Sequence, residues 1–182
     1  PSHIYVVLEK GDRDLYALID DYPGGCPENV VKSATRILVL ALRHCHNAKI
    51  AHRDIKPENI LVCGDPHTWH QNPDAGIVKL CDFGLCADIP EDGALLQDFV
   101  GSPGFFAPEL LGGGLYDGRL IDVWSLGCIF AELLGNLGTR RGTGILLLRK
   151  GILQAMIRVE LRKAIFGRSI PFGFEHTFTS SN

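Results

Sequence analysis

The sequence predicts an α+β domain, mainly helical, with one small β-hairpin, and three stretches carry that expectation. Val30 to Asn47 repeats apolar residues (Val31, Ala34, Ile37, Leu38, Ala41, Leu42, Cys45) at steps of three and four. Ile60-Leu61-Val62 and Ile77-Val78-Lys79-Leu80-Cys81 are short apolar runs separated by a turn-rich loop, and Leu120 to Leu134 is apolar nearly all round. The first pattern is one stripe of an amphipathic helix, the second a pair of strands, the third a helix buried on every side.

Composition bounds the rest. A chain of 182 residues, 46% hydrophobic and 21% charged, can bury one core of ordinary size, which argues against disorder. Its six cysteines form no Cys-x-x-Cys pair and fall largely in apolar runs, where a free thiol behaves as a small hydrophobe. A reducing compartment, cytoplasmic or nuclear, is the expectation. Cys63, His67 and His70 lie together in one loop but lack a fourth ligand at a usual spacing, so no structural zinc is expected. No signal peptide is visible, and the longest apolar candidate for a membrane span, Leu120 to Leu137, carries Asp122 and Glu132. The net charge of −3 suggests no nucleic-acid partner, yet it hides an asymmetry: residues 139–168 carry +7 and the remainder −10.

In chain order, His3 to Glu9 is a β-branched and aromatic run of strand length, ended by the turn Lys10-Gly11-Asp12. Asp14 stands where a helix N-cap would precede Leu15 to Ile19. Pro23-Gly24-Gly25 is a loop, and Pro27-Glu28-Asn29 opens the next helix with a proline whose missing N–H costs nothing there. That helix runs on to Asn47 and delivers Ile50-Ala51. Residues 64–76 contain Asp-Pro and Asn-Pro-Asp turn signals and close the hairpin. From Ile145 to Phe166 apolar and basic residues alternate at irregular helical spacing with a break at Gly151, the pattern of a basic amphipathic helix suited to a membrane or calmodulin-type contact.

The chemistry concentrates between His52-Arg53-Asp54-Ile55-Lys56-Pro57-Glu58-Asn59 and Asp82-Phe83-Gly84. Phosphoryl transfer needs a carboxylate to orient the attacking hydroxyl, oxygen ligands for a metal, and a cation on the transferred phosphate. Asp54, then Asn59 with Asp82, then Lys56 can fill those roles. Ala107-Pro108-Glu109 and Asp122-Val123-Trp124-Ser125-Leu126-Gly127 follow in order. In this series the chain resembles the eukaryotic-type protein kinases of the Ser/Thr class, over roughly residues 3 to 136.

The resemblance implies a protein-kinase-like fold, mainly the helical large C-terminal lobe with its small hairpin and almost none of the small lobe. It implies ATP and Mg²⁺ as cofactors and a protein substrate presenting Ser or Thr. His3 to Glu9 would be the last small-lobe strand and the hinge, with Leu8 at the back of the adenine pocket, Glu9 and Gly11 offering backbone groups to the purine, and Asp14 reaching a ribose hydroxyl unless it caps the helix. Asn59 before one hairpin strand and Asp82 after the other would be the two oxygen ligands that Mg²⁺ takes from protein. Ser102 would bridge Asp54 and Lys56, Asp122 would hold the catalytic-loop backbone, Glu109 would pair with a downstream Arg, and His46 would be structural. Leu85 to Gly101 contains no Ser, Thr or Tyr. The phosphate that Arg53 commonly meets therefore has no site there, and Asp92 or Asp98 is expected to offer a carboxylate instead.

Residues 1–136 thus read as a partial kinase domain beginning at the hinge, and 137–182 as a divergent basic tail. The 182 residues contain no glycine-rich loop over the phosphates, no strand lysine placed on the α- and β-phosphates and no helix glutamate paired to it, so the fragment is expected to be inactive by itself. The rival reading is a pseudokinase or scaffold using the fold as a binding surface, against which Asp54, Asn59 and Asp82 all stand in place.

Overall fold

The computed structural model describes residues 3, 5–66, 68 and 77–135. Its elements are β1 (Arg13–Asp14), α1 (Leu15–Asp20), α2 (Glu28–Asn47), β2 (Ile50–Ala51), a 3₁₀ turn (Pro57–Asn59), β3 (Ile60–Val62), β4 (Val78–Leu80), β5 (Ala87–Asp88), α3 (Pro108–Leu111) and α4 (Gly118–Leu133).

The helices form where their patterns demand. Helix α1 is capped by Asp14, whose carboxylate accepts from the Ala17 N–H at 2.8 Å. Helix α2 buries Val30, Val31, Ala34, Leu38, Val39 and Leu42, the stripe read from the sequence, and Pro27 stands at its N-cap rather than in its first turn. Helix α4 starts two residues earlier than the apolar run, because Asp117 caps it through the Arg119 N–H at 2.9 Å. It buries residues on all sides, from Ile121 and Val123 to Ile129 and Leu133.

The expected hairpin is present, with Ile60 opposite Leu80, Leu61 opposite Lys79 and Val62 opposite Val78. Two pairings add to it that no periodicity announced. Strand β1 extends the hairpin, Arg13 opposite Val62 and Asp14 opposite Leu61, and β2 pairs with β5, Ala51 opposite Ala87. The chain reaches β1 by passing directly over β3: a methyl group on Gly11 would lie 2.8 Å from the Leu61 Cβ.

The strand expected from His3 to Glu9 is not formed. His3 and residues 5–9 have no ladder, and Tyr5 and Val7 are 87% and 96% exposed. A β-forming composition is not enough, because an extended segment leaves its backbone groups unpaired until a neighbouring strand supplies partners.

One core gathers Leu15 and Leu18 of α1, the buried stripe of α2, Ile60 and Val62 of β3, and Leu126, Ile129 and Leu133 of α4. Each such side chain contributes roughly 1.5–3 kcal/mol by leaving water. A second cluster, Ala107, Leu110, Tyr116 and Ile121, seats the chain between α3 and α4. Just before α2 and just after α4 the main chains also meet directly: the Cys26 N–H donates to the Leu133 carbonyl at 2.7 Å, and Gly25 and Gly135, both at positive φ, touch with no room for a Cβ on either.

All six cysteines are free. Burial pushes the Cys128 thiol up to about 12, so that it serves as an apolar filler rather than a nucleophile. Among the described residues no group of three or more His, Cys, Asp or Glu could hold a metal, and no helix is long and apolar enough to cross a membrane. His67, His70, the larger part of the 64–76 loop and the basic tail 137–182 lie outside the described residues.

Candidate active site

The site is built on the loop from β2 to β3, and three buried groups hold that loop. His52 is fully buried. Its Nε2 lies 3.0 Å from the Cys81 carbonyl oxygen and its Nδ1 accepts from the Asp54 N–H at 3.2 Å, partners that assign the Nε2–H tautomer. Its ring also packs tilted against Phe83 at 4.8 Å. One imidazole thus joins the backbone of Asp54 to the residues on either side of Asp82.

Asp122, 1% exposed, is the second group. Its Oδ2 accepts from the His52 N–H at 2.8 Å and from His46 Nε2 at 2.9 Å, and its Oδ1 accepts from the Arg53 N–H at 2.7 Å. The loop-holding role expected of Asp122 and the structural role expected of His46 are both visible in these bonds. They support a costly backbone: Arg53 has φ +67°, in the left-handed region that disfavours residues with a Cβ.

Asp54 is the centre, 7% exposed and bonded on both oxygens. Oδ1 accepts from Ser102 Oγ at 2.7 Å; Oδ2 lies 3.0 Å from Lys56 Nζ and 3.0 Å from Asn59 Nδ2. Lys56 Nζ also donates to Ser102 Oγ at 2.9 Å, closing the triangle expected from Ser102, and Asn59 Nδ2 donates to the Asp54 carbonyl at 2.9 Å. Burial pushes the Asp54 carboxyl upward, but the bonds from Ser102, Lys56 and Asn59 outweigh it and hold the group below the usual carboxylate range. Asp54 is ionised at neutral pH.

Asp82 follows β4 at φ +61°, with Oδ1 accepting from the Gly84 N–H at 3.1 Å. The Cys81 N–H donates to the Asn59 carbonyl at 2.9 Å, so the residue before Asp82 is tied to Asn59 across the hairpin mouth. The remaining predicted residues form a second group on the three-stranded sheet. Glu9 accepts from Lys79 of β4 at 2.7 Å, Gly11 crosses β3, and Asp14 lies in β1, which packs against the Pro57–Asn59 turn.

Arg53 reaches away from Asp54 into the 85–101 segment. Its Nε donates to the Leu85 carbonyl at 2.7 Å and one terminal nitrogen lies 3.3 Å from Asp98 Oδ2. Of the two acids expected to serve it, Asp98 does so; Asp92 instead accepts from the Ala94 N–H within its own turn. The same Arg53 nitrogen donates to the Tyr116 hydroxyl at 3.2 Å, a partner that sequence spacing gave no means to find. The arginines beyond residue 135, Arg158 and Arg162 among them, lie outside the described residues, and with them the downstream partner expected for Glu109.

Comparison with known proteins gives the family. The family model of the protein kinase domain matches residues 1–159. Human cyclin-dependent kinase-like 4 is 39% identical over 131 residues, 72% of this chain and 32% of that protein. Cyclin-dependent kinase-like 2 of Oryctolagus cuniculus is 36% identical over 130 residues (71% and 21%), and human cyclin-dependent kinase-like 5 is 37% identical over 131 (71% and 12%). The chain spans about a third or less of the length of these relatives. With the Asp54–Lys56–Asn59–Ser102 cluster and the match over most of its residues, the chain belongs to the protein kinase family.

Proposed function

We propose that the protein is a serine/threonine kinase that transfers the γ-phosphoryl group of ATP to a hydroxyl of a protein substrate, and that residues 1–136 are part of its catalytic domain, mainly the large helical lobe. The observation that carries this reading is the Asp54 carboxylate, fixed by Ser102, Lys56 and Asn59 together. A carboxylate held below its ordinary range is a weak general base. It suits a loose transition state, in which the hydroxyl must be oriented early and need give up its proton only late. Lys56, donating to Ser102 and paired with Asp54, is the cation for the transferred group, and its position in the catalytic loop supports the Ser/Thr class.

Asn59 and Asp82 would hold Mg²⁺. A carboxylate and an amide oxygen are hard donors, and Mg²⁺ asks for few ligands from protein. Bound Mg·ATP supplies the phosphoryl group and neutralises charge on its oxygens. Glu9 and Gly11 would offer backbone groups to the purine; the Glu9 carboxylate is committed to Lys79, which leaves its main chain for that task. Asp14 would meet the ribose with its second oxygen, since Oδ1 caps α1.

The test uses the full-length protein. Asp54→Asn should leave ATP binding nearly intact and lower turnover by orders of magnitude, whereas Asp82→Asn should weaken Mg·ATP binding itself. Equal phosphotransfer by wild type and Asp54→Asn would refute the assignment.

A further inference from the structure

We infer that Tyr116 is a positioning residue for this site: its hydroxyl and its backbone clamp residues 96–101 onto Arg53 and thereby set Ser102 against Asp54. The consequence for catalysis rests on the kinase reading, but the clamp itself does not. Tyr116 grips the segment at two points. Its backbone exchanges two hydrogen bonds with Leu96, at 2.8 and 2.9 Å. Two residues further on, its hydroxyl donates to the Asp98 carbonyl oxygen at 2.6 Å while accepting from Arg53 at 3.2 Å.

The ring is 2% exposed and packs with Ala107, Leu110 and Ile121, so the hydroxyl is presented from a fixed base. Arg53 is equally enclosed, its side chain 8% exposed, but the Asp98 carboxylate that also meets it is 75% exposed. An exposed ion pair is weak and screened by salt, while a bond shielded from water keeps its strength. The hydroxyl is therefore the durable half of the clamp and the carboxylate the soft half. Beyond Asp98 the chain lies against Arg53: Gly101 has φ +116°, and a methyl there would come within 2.9 Å of the Arg53 carbonyl oxygen. The next residue is Ser102, so releasing the clamp frees the stretch that delivers the bridging hydroxyl.

The experiment is residue-resolved hydrogen exchange on the protein and on Tyr116→Phe, Asp98→Asn and Asp92→Asn. Tyr116→Phe keeps the ring and should speed exchange at the bonded Leu96 and Tyr116 amides by about tenfold, the effect of a lost bond to a charged group, with α2 and α4 unchanged. Asp98→Asn should speed it by no more than about threefold, and Asp92→Asn should not change it. Acceleration within about twofold of wild type in Tyr116→Phe overturns the clamp, as does equal loosening of α2 and α4. A second measurement does not depend on that variant folding. Asp98→Asn in about 0.5 M salt leaves the hydroxyl as the holding group; the Leu96 and Tyr116 amides should stay protected, and their full opening overturns the proposal. In the full-length enzyme, Tyr116→Phe should raise KM for the protein substrate several-fold with KM for ATP unchanged. Unaltered substrate KM beside faster exchange refutes the positioning role. An inactive wild type would sink the kinase reading and leave the exchange result standing.

Discussion

Replacing Asp122 by Asn tests whether the catalytic loop is held in the way its bonds indicate. The carboxylate serves three donors, the His52 N–H, His46 Nε2 and the Arg53 N–H. An amide of the same shape has one acceptor oxygen and an NH₂ group that can only donate. With the oxygen toward His52 and His46, the NH₂ faces the Arg53 N–H; with the oxygen toward Arg53, it faces the His52 N–H. Either orientation leaves one buried backbone donor without a partner, which costs about 1–3 kcal/mol, and turns the surviving charge-assisted bonds into ordinary ones. The total is about 3 kcal/mol. For a domain of this size that lowers the melting temperature by about 6–12 °C, and it is a large fraction of an ordinary folding stability. Urea denaturation of wild type and Asp122→Asn, compared at equal m-value, measures it. A loss below about 0.5 kcal/mol would show that Arg53 keeps its left-handed backbone without Asp122, and the reasoning would fail.

The 182-residue chain by itself should transfer no phosphate, because its residues include neither the small-lobe lysine that meets the α- and β-phosphates nor a glycine-rich loop; robust radiolabel transfer that disappears in Asp54→Asn would contradict this. Phosphatase-treated full-length protein should keep its activity, since Leu85 to Gly101 has no hydroxyl to modify and Asp98 already meets Arg53. Asp98→Asn should lower that activity several-fold at low salt and less at high salt, and a phosphate mapped to Ser102 whose removal abolishes activity would refute the idea. Burial, and then the charge of Glu58, push Glu132 up to about 7 from 4.5. The folded state therefore holds a proton that the unfolded state has lost, and stability should fall as pH rises from about 4.5 to 7, by at most about 3 kcal/mol and less for the solvent it retains. Thermal melts across that range should flatten in Glu132→Gln; a wild-type profile already flat would count against the shift.

Much of this site was legible because its bonds are made by residues close in sequence or fixed in motif order. Asp54, Lys56 and Asn59 lie on one loop, and Ser102 was found by its place in the segment before Ala107-Pro108-Glu109. Helices α2 and α4 were legible because burial of a long stripe, or of a whole surface, leaves a period that many residues share. Two-residue strands have no period to read. Strands β1, β2 and β5 exist because distant backbone supplies partners, and the same dependence explains why His3 to Glu9, strand-like in composition, is not a strand. Tyr116 was invisible for a related reason. A tyrosine after three glycines signals a loop, and nothing local shows that its hydroxyl will arrive between Arg53 and Asp98. The choice of Asp98 over Asp92 likewise required the fold, since both are acids in one loop and only one is carried past the guanidinium.

The contact between Gly25 and Gly135 sets a different kind of limit on this sequence. Most packing in the core can drift, since a larger side chain on one element can be offset by a smaller one opposite. Here the would-be Cβ of Gly25 meets the Leu134 carbonyl oxygen at 2.5 Å and that of Gly135 runs into the Gly25 nitrogen, main chain against hydrogen. No side chain is present to shrink, and both residues sit at positive φ, where any replacement is strained before it touches anything. Substituting one glycine cannot be repaired by substituting its neighbour. The junction of the two long helices is therefore all-or-none, and a library randomised at these two positions should return glycine at both.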